Sequence, residues 1–364
     1  MNGKHAALGA HVRRLCSSGL DPKVVIPPVV AALREIAQGE WGMFYFADEH
    51  CDLDDLYSEN PAAFDVLPAY MEEIHNAPAQ EAMGVQFTAA MRRGRGFGNS
   101  AHWGRPVYEG PGYDCTWRPL QIHYALEQTA TFGGRGFGSI EFLRPRGSRP
   151  FDERNEADLA LFSHHLAHAL TAPGAPVQRY SARGVSGVLV FDGAGQLLLS
   201  SPEARRCVAL ADGQSAAFSR GDLVPVWLRA LVAGFVRLWH GQDASPCRIT
   251  RRNRAGVFRF RAYRFNEAML DHDRLAIAVH VEHHAPLALE VETLGYRFGL
   301  SARQRQLCSD LLEGLNYAQI AQRMSVSQST VIDHARELYK RLEIHDREGL
   351  EASFPALARS EWNA

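Results

Sequence analysis

The chain has 364 residues, of which 46% are hydrophobic and 22% charged, and its formal net charge is −2. These values are typical of a globular protein with two or three domains, and the near-neutral charge excludes a general attraction to nucleic acid or anionic lipid. No apolar run approaches the roughly 18 residues that cross a membrane, and residues 1–20 lack the apolar core of a signal peptide, so we expect a cytoplasmic protein.

The positions of the cysteines and lysines argue against several further classes of protein. The six cysteines are scattered without a C-x-x-C pair, which argues against a zinc or disulfide framework. The only Gly-Lys pair is followed by His5, so the chain has no phosphate-binding P-loop. A phospho-acceptor receiver domain needs a lysine late in the domain, and no lysine lies between Lys23 and Lys340.

The first part of the chain is predicted as a short N-terminal segment, 1–20, followed by a folded domain, 21–172. Hydrophobic periodicity indicates both helices and strands in this domain. The predicted helices are Ile26–Ala37 and Asn60–His75, and the predicted strands are Gly42–Phe46, Gln121–Glu127 and Phe137–Leu143.

The end of this domain carries a family resemblance. A strand is followed by a loop and by a helix that Asp152 can cap, with an apolar stripe from Leu159 to Leu170. Strand, turn and a closing helix that ends in "LAHAL" resemble the end of a GAF domain. The resemblance implies that residues 21–172 sense a ligand.

The motif Arg-Gly-Phe-Gly occurs twice, at 95–98 and at 135–138. Nucleic-acid binding through such motifs needs low-complexity sequence, whereas both copies lie beside strand-like sequence in an aromatic-rich domain. We therefore predict that the glycines permit turns or bulges at strand edges, with a place in a pocket wall as the alternative.

The first domain is dense in aromatic residues, many of which are expected in its core. Tyrosine and tryptophan also line pockets for small amphipathic ligands, because each ring carries a polar atom. We expect a small organic effector, aromatic or amphipathic, which Arg118, His123 and Glu127 could orient. The candidate ligand-binding residues are Trp41, Phe44, Phe87, Trp103, Tyr113, Cys115, Trp117, Arg118 and His123.

Other chemistry is weakly supported. His164 and His168 have the i, i+4 spacing of metal or haem ligands, but no further ligand is evident. Cys115 could be a redox-active or flavin-linked thiol, although a core or pocket cysteine is the simpler interpretation. Hydrolase, metalloprotease and dinucleotide-binding motifs are absent. We predict no enzyme, no metal and no cofactor, with a haem, flavin or redox sensor as the alternative.

Residues 173–185 are predicted as a linker and residues 186–285 as a second domain. The sequence indicates strand, turn, strand and helix, followed by strands in "CRITRRNRAGVFRFRAYRF" and "RLAIAVHVEHHAP". This order resembles a PAS-type sensor domain. Four arginines alternate along the later strands and are predicted on a solvated sheet face: Arg248, Arg252, Arg259 and Arg261.

Residues 286–299 are predicted as a connecting helix that begins at Pro286. Its apolar residues fall at spacings of 4, 3 and 4 and form one narrow seam. The seam suits either a contact between two copies of the chain or packing on the preceding domain. It consists of Leu287, Val291, Leu294 and Phe298.

Residues 300–364 are predicted as four short helices. Ser301, Asn316 and Ser327 can cap the first three, and Pro355 should kink or end the fourth. Two helices, a tight turn and a third helix with a polar outer face are the parts of a helix-turn-helix. A helical bundle that binds protein instead of DNA is the alternative.

The segment "LSARQRQLCSDLLEGLNYAQIAQRMSVSQSTVIDHARELYKRLEIHDREGL" resembles, without a gap, the DNA-binding domain of LuxR/GerE-type transcriptional regulators. The resemblance implies that the third helix enters the major groove, with Ile332, Asp333 and Arg336 at the bases. It implies operator DNA, a homodimer and RNA polymerase as partners. The implied DNA-binding residues are Ser327, Gln328, Thr330, Ile332, Asp333, Arg336, Lys340 and Arg341.

The fold class is therefore predicted as α+β, with GAF-like and PAS-like α/β sensor domains before an all-α four-helix helix-turn-helix domain. The last segment carries slightly more acidic than basic residues. Phosphate attraction is consequently also expected from arginines elsewhere in that domain, among them Arg303, Arg305 and Arg323.

Overall fold

The computed structural model describes residues 3–75, 77, 85–103, 108–171, 179–181, 184–213, 224–244, 247–265 and 276–357. Two antiparallel sheets with associated helices are followed by a helical C-terminal unit, which confirms the predicted mixed architecture with a terminal helical domain. Among these residues, no helix combines the length and the apolarity that a membrane crossing requires.

The first unit is built on a four-stranded sheet. Its elements are α1 (Gly3–Cys16), α2 (Pro22–Ala37), β1 (Trp41–Ala47), β2 (Leu53–Ser58), α3 (Ala63–Ala69), α4 (Phe87–Arg93), β3 (Ile122–Phe132), β4 (Arg135–Pro145), α5 (Glu153–Ala160) and α6 (Ser163–Thr171). The strand order is β2-β1-β4-β3, and all neighbours are antiparallel. The three predicted strands correspond to β1, β3 and β4, whereas β2 was not predicted.

The N-terminal segment contributes to the core of this unit. Leu8, Val12 and Leu15 of α1 are almost fully buried in the same hydrophobic cluster as α2. Residues of the predicted 1–20 segment therefore pack as part of the first unit.

The two faces of the first sheet have different surroundings, because successive side chains of a strand point to opposite sides. Phe44, Ile140 and Phe142 are fully buried in the core cluster that includes α2. Tyr45 and Glu141 point to the other face, where α3 and α4 form part of the wall of a cavity. The sheet thus separates a solid core from a cavity.

Two predicted helices of this unit are interrupted. The helix predicted over Asn60–His75 is α-helical only in α3, and it continues as a wider π-helical turn over Tyr70–Ile74. Asp152 caps the closing segment as predicted, in a reciprocal capping box with Asn155. That segment then breaks before Phe162, so it forms α5 and α6 instead of one helix.

The second unit is a five-stranded antiparallel sheet with two helices. Its elements are β5 (Val185–Asp192), β6 (Leu197–Ser200), α7 (Pro202–Asp212), α8 (Val226–Trp239), β7 (Arg248–Asn253), β8 (Gly256–Phe265) and β9 (Ala276–His284), in the sheet order β6-β5-β9-β8-β7. The predicted order of strands and the first helix is found, and α8 was not predicted. The four alternating arginines of β7 and β8 are exposed, as predicted.

The C-terminal unit contains the predicted connecting helix and four further helices. They are α9 (Leu287–Arg297), α10 (Ala302–Leu312), α11 (Tyr317–Met324), α12 (Gln328–Arg341) and α13 (Arg347–Leu357). Ser301 and Asn316 form capping boxes, and Ser327 caps α12, as predicted. The expectation for Pro355 is corrected in part, because α13 continues through Leu357 and so does not end at the proline.

The apolar seam of α9 packs inside the C-terminal unit. Leu287, Val291 and Leu294 are buried in one cluster with residues of α10, α12 and α13, and Phe298 packs against that cluster. Both interpretations of the seam are therefore corrected. Its residues are buried against the other C-terminal helices, so they are not available for a contact with a second copy of the chain, and their main contact is not the preceding sheet. The seam completes the core of the helical domain.

Candidate DNA interface and ligand cavity

The third helix of the C-terminal domain, α12, exposes a polar face. Val331, Ala335 and Leu338 are almost fully buried, as predicted, and so is Tyr339, which was not predicted. Packing of this stripe on α10 and α11 fixes the rotation of α12 about its axis. The opposite face is left free to enter a groove of DNA.

The residues predicted to face bases lie on that free face. Asp333 and Arg336 are exposed, and Ile332 is half-buried. The Arg336 guanidinium lies 3.3 Å from the Asp333 carboxylate, in an i, i+3 pair whose side chains are 76% and 73% exposed. A pair this exposed contributes little stability, so Arg336 can leave it to bind a guanine edge.

The other implied DNA-binding residues, which include the predicted phosphate contacts Ser327, Thr330, Lys340 and Arg341, differ in exposure and in hydrogen bonding. Gln328 and Lys340 are exposed, whereas Thr330 is half-buried. The Ser327 hydroxyl already accepts the backbone N–H of Thr330 at 3.2 Å. Arg341 donates to the carbonyl oxygen of Gly299 at 2.8 Å. Lys340 therefore fits a pure phosphate contact best.

Two arginines expected to attract phosphate have structural partners. The Arg305 residue is only 9% exposed, and its guanidinium pairs with Glu292 at 3.3 Å. Arg323 pairs with Asp310 at 3.0 Å and with Glu313 at 2.8 Å. The expectation for Arg305 is corrected, because its burial places it in the domain core; Arg303 is exposed.

A contact joins the first unit to the C-terminal unit through α9. Glu292 accepts from Arg14 of α1 at 3.1 Å and pairs through its other oxygen with Arg305 of α10. Nearby, the ring of His11 stacks on Tyr296 with centroids 4.5 Å apart. Burial, reinforced by the two arginines, lowers the pKa of His11 to about 3, so the stacked ring is neutral. One carboxylate thus connects α1 of the first unit to α9 and α10 of the C-terminal unit.

The cavity of the first unit has a volume of about 140 Å³ and lies on the face of the sheet opposite α2. Its wall is mostly aromatic and aliphatic, with two carboxylates. The aromatic and acidic lining residues are Tyr45, Tyr70, Phe87, Phe97, Trp103, Tyr113, Trp117, Glu127 and Glu141.

Four of the nine predicted ligand-binding residues line this cavity, namely Phe87, Trp103, Tyr113 and Trp117. Phe44 does not, because the alternation of β1 turns it into the core on the other side of the sheet. Trp41 packs against an apolar cluster at the start of β1. The other three lie outside the lining: Cys115 near Glu73, Arg118 paired with Asp114, and His123 hydrogen-bonded to Tyr113.

The two Arg-Gly-Phe-Gly copies have different roles. The second copy begins β4, and Arg135 donates to backbone carbonyls of Asp48 and Glu49. This location confirms the predicted strand edge. The first copy is a loop in the cavity wall, which was the alternative. At Gly96 an added Cβ would lie 1.8 Å from the Glu127 carboxylate, so any other residue there would have to displace that carboxylate.

Glu127 and Glu141 are the polar centre of the cavity. They are directly opposed on β3 and β4, and they are 5% and 3% exposed. Burial raises the pKa of both; that of Glu141 reaches about 7, with Tyr45 opposing the rise and Glu127 adding to it. Sequence reasoning considered Glu127 but missed Glu141, although alternation within "GSIEFL" places it on the face of Ser139.

No metal centre is evident in the residues that the structure describes. Among them, no group of three His, Cys, Asp or Glu side chains is placed to hold an ion. Burial raises the pKa of the Cys16, Cys207 and Cys308 thiols to about 12, which keeps them protonated and unreactive.

Comparison with known proteins decides the nature of the helical unit. Residues 299–351 match the family described as bacterial regulatory proteins, luxR family. These residues are a LuxR-family DNA-binding domain. The matched range contains α10, α11 and α12. The exposed polar face of α12 therefore belongs to the helix-turn-helix of the LuxR-family domain.

The remaining comparisons are weak. No curated protein sequence matches the chain significantly. A structure of SdiA in complex with octanoyl-rac-glycerol covers 91% of this chain and 88% of its own, at 12% identity and a TM-score of 0.27. The sensor region of a sensor histidine kinase covers 70% and 89%, at 13% identity and a TM-score of 0.19. At these identities and TM-scores neither likeness supports a conclusion about the fold or the function of this chain.

Proposed function

We propose that the protein is a cytoplasmic, homodimeric transcription regulator whose affinity for operator DNA responds to a small organic effector. The observation that carries the proposal is the LuxR-family domain at 299–351, whose helix α12 leaves Asp333, Arg336 and Lys340 exposed. In this proposal residues 21–172 form the GAF-like sensor, residues 186–285 form a PAS-like domain, and RNA polymerase is a partner on the DNA.

The effector site is proposed in the cavity of the first unit. Its aromatic lining, with few polar groups, is the composition of small-molecule sites. Phe87, Trp103, Tyr113 and Trp117 are the predicted residues retained in this proposal. A route for the signal is the Glu292 contact, because a ligand that moves α1 relative to α9 would act on Arg14 and Arg305 together.

DNA binding by the full chain tests the proposal. A gel-shift titration with the DNA upstream of its own coding sequence should give a specific complex. Arg336→Ala should cost about 1–3 kcal/mol and relax preference at one base position. Lys340→Ala should weaken binding to all sequences and lower the salt slope by about one.

Arg261→Ala is the matched control, because it removes one exposed arginine from the middle sheet and should leave DNA binding unchanged. The absence of any specific complex would contradict the proposal and favour a domain that binds protein. If Arg336→Ala weakened every sequence equally, Arg336 would be a phosphate contact instead of a base contact.

A further inference from the structure

Two buried carboxylates face each other across the cavity sheet. Glu127 of β3 pairs in register with Glu141 of β4, and both residues line the cavity. Like charges at directly opposed positions destabilise a sheet, and burial removes the water that would screen them. A sheet that keeps this arrangement needs protons or a positive charge in the cavity.

The described protein groups that hydrogen-bond these carboxylates carry no positive charge. Glu127 accepts from the Thr129 hydroxyl at 2.9 Å and from the backbone N–H of Gly98 at 3.2 Å. Glu141 accepts at Oε2 from the Tyr45 hydroxyl at 2.6 Å. All of these donors are uncharged, and the described lining contains no lysine, arginine or histidine.

Aromatic rings line the same cavity as the two carboxylates. Trp103 lies at the centre of this wall, with ring centroids 4.9 Å from Phe97 and 5.1 Å from Trp117. The faces of such rings carry partial negative charge and attract ammonium groups. The aromatic wall therefore favours a positive charge in the same cavity as the carboxylates, and it also accepts an apolar body.

We infer that the cavity binds a small organic cation, an amine whose ammonium group pairs with Glu141 and Glu127 and whose apolar body lies among the aromatic rings. A volume of about 140 Å³ is close to that of a cavity of roughly 150 Å³ that holds benzene, so one ring with a short ammonium chain fits. The inference rests on the proposed sensing role of the first unit and specifies its ligand class.

Three probes of one shape and different charge test the inference on the full chain: 2-phenylethylamine, 2-phenylethanol and phenylacetate. Calorimetric titration at pH 8 should give an affinity for the amine at least about tenfold above that for the alcohol, as expected for hydrogen bonds to charged groups. Phenylacetate should not bind. Glu141→Gln should reduce the preference for the amine to about threefold or less, whereas Glu40→Gln, which removes an exposed carboxylate near β1, should retain it.

Other results overturn the inference. They are tighter binding of the alcohol or of phenylacetate, no binding by any probe at millimolar concentration, or an unchanged preference in Glu141→Gln. If Glu141→Gln does not fold, Glu127→Gln gives the same answer, since it removes the other half of the pair. If the amine binds but does not change the affinity for operator DNA, the inference stands and the proposed regulation fails.

Discussion

Glu141→Gln should stabilise the protein, and the gain should depend on pH. The carboxyl is 3% exposed, and its pKa is raised by burial to about 7 from an ordinary value of 4.5. The ionisable groups that face it are Tyr45, Tyr70 and Glu127; burial raises the pKa of both tyrosines, so they remain neutral hydroxyls. Glutamine keeps an acceptor for Tyr45 but carries no charge.

The magnitude follows from the two pKa values. Below pH 4.5 the carboxyl is protonated in both folded and unfolded chains, so it imposes no pH-dependent cost. Between pH 4.5 and 7 the unfolded chain loses the proton while the folded chain keeps it, so the free energy of unfolding falls as the pH rises. Above pH 7 the full cost applies, which is about 3 kcal/mol at about 1.4 kcal/mol per pH unit.

Urea unfolding of the full chain at pH 5 and pH 8, followed by tryptophan fluorescence, measures the effect. The stability difference between Glu141→Gln and the natural sequence should be larger at pH 8 than at pH 5 by about 2–3 kcal/mol. Glu40→Gln, which removes an exposed carboxylate, should give nearly the same difference at both pH values. Equal differences at both pH values for Glu141→Gln would refute a buried, easily protonated carboxyl at this position.

Three further changes test other parts of the structure. Gly96→Ala should destabilise the first unit by about 1–3 kcal/mol in thermal unfolding, because its Cβ would meet the Glu127 carboxylate; an unchanged melting temperature would contradict this. Leu294→Ala should cost about 2–5 kcal/mol in chemical denaturation of the C-terminal unit, and a cost near zero would show that α9 is not part of that core. Ser325→Gly should stabilise the LuxR-family domain by up to about 1 kcal/mol, because Ser325 has a φ of 55°; a loss of stability would exclude that explanation.

Local sequence alone determined the helices of the helix-turn-helix and the inward face of its third helix. The side chains of the capping residues Ser301, Asn316 and Ser327 each accept from the backbone N–H three residues further on, so the sequence alone predicts these caps. The stripe that turns α12 inward has a period of 3.6 residues and is equally local. The same holds for the closing segment of the first unit, where Asp152 forms its predicted capping box.

The tertiary structure decided which side chains share a space. Phe44 and Tyr45 are adjacent in sequence, yet one is core and the other lines the cavity, because β1 lies between α2 and the cavity. Glu127 and Glu141 oppose each other only because of the register between β3 and β4. The seam of α9 likewise packs inside the helical domain, and Arg305 pairs there with Glu292. Both contacts depend on how segments that are distant in sequence pack together, and local spacing does not determine them.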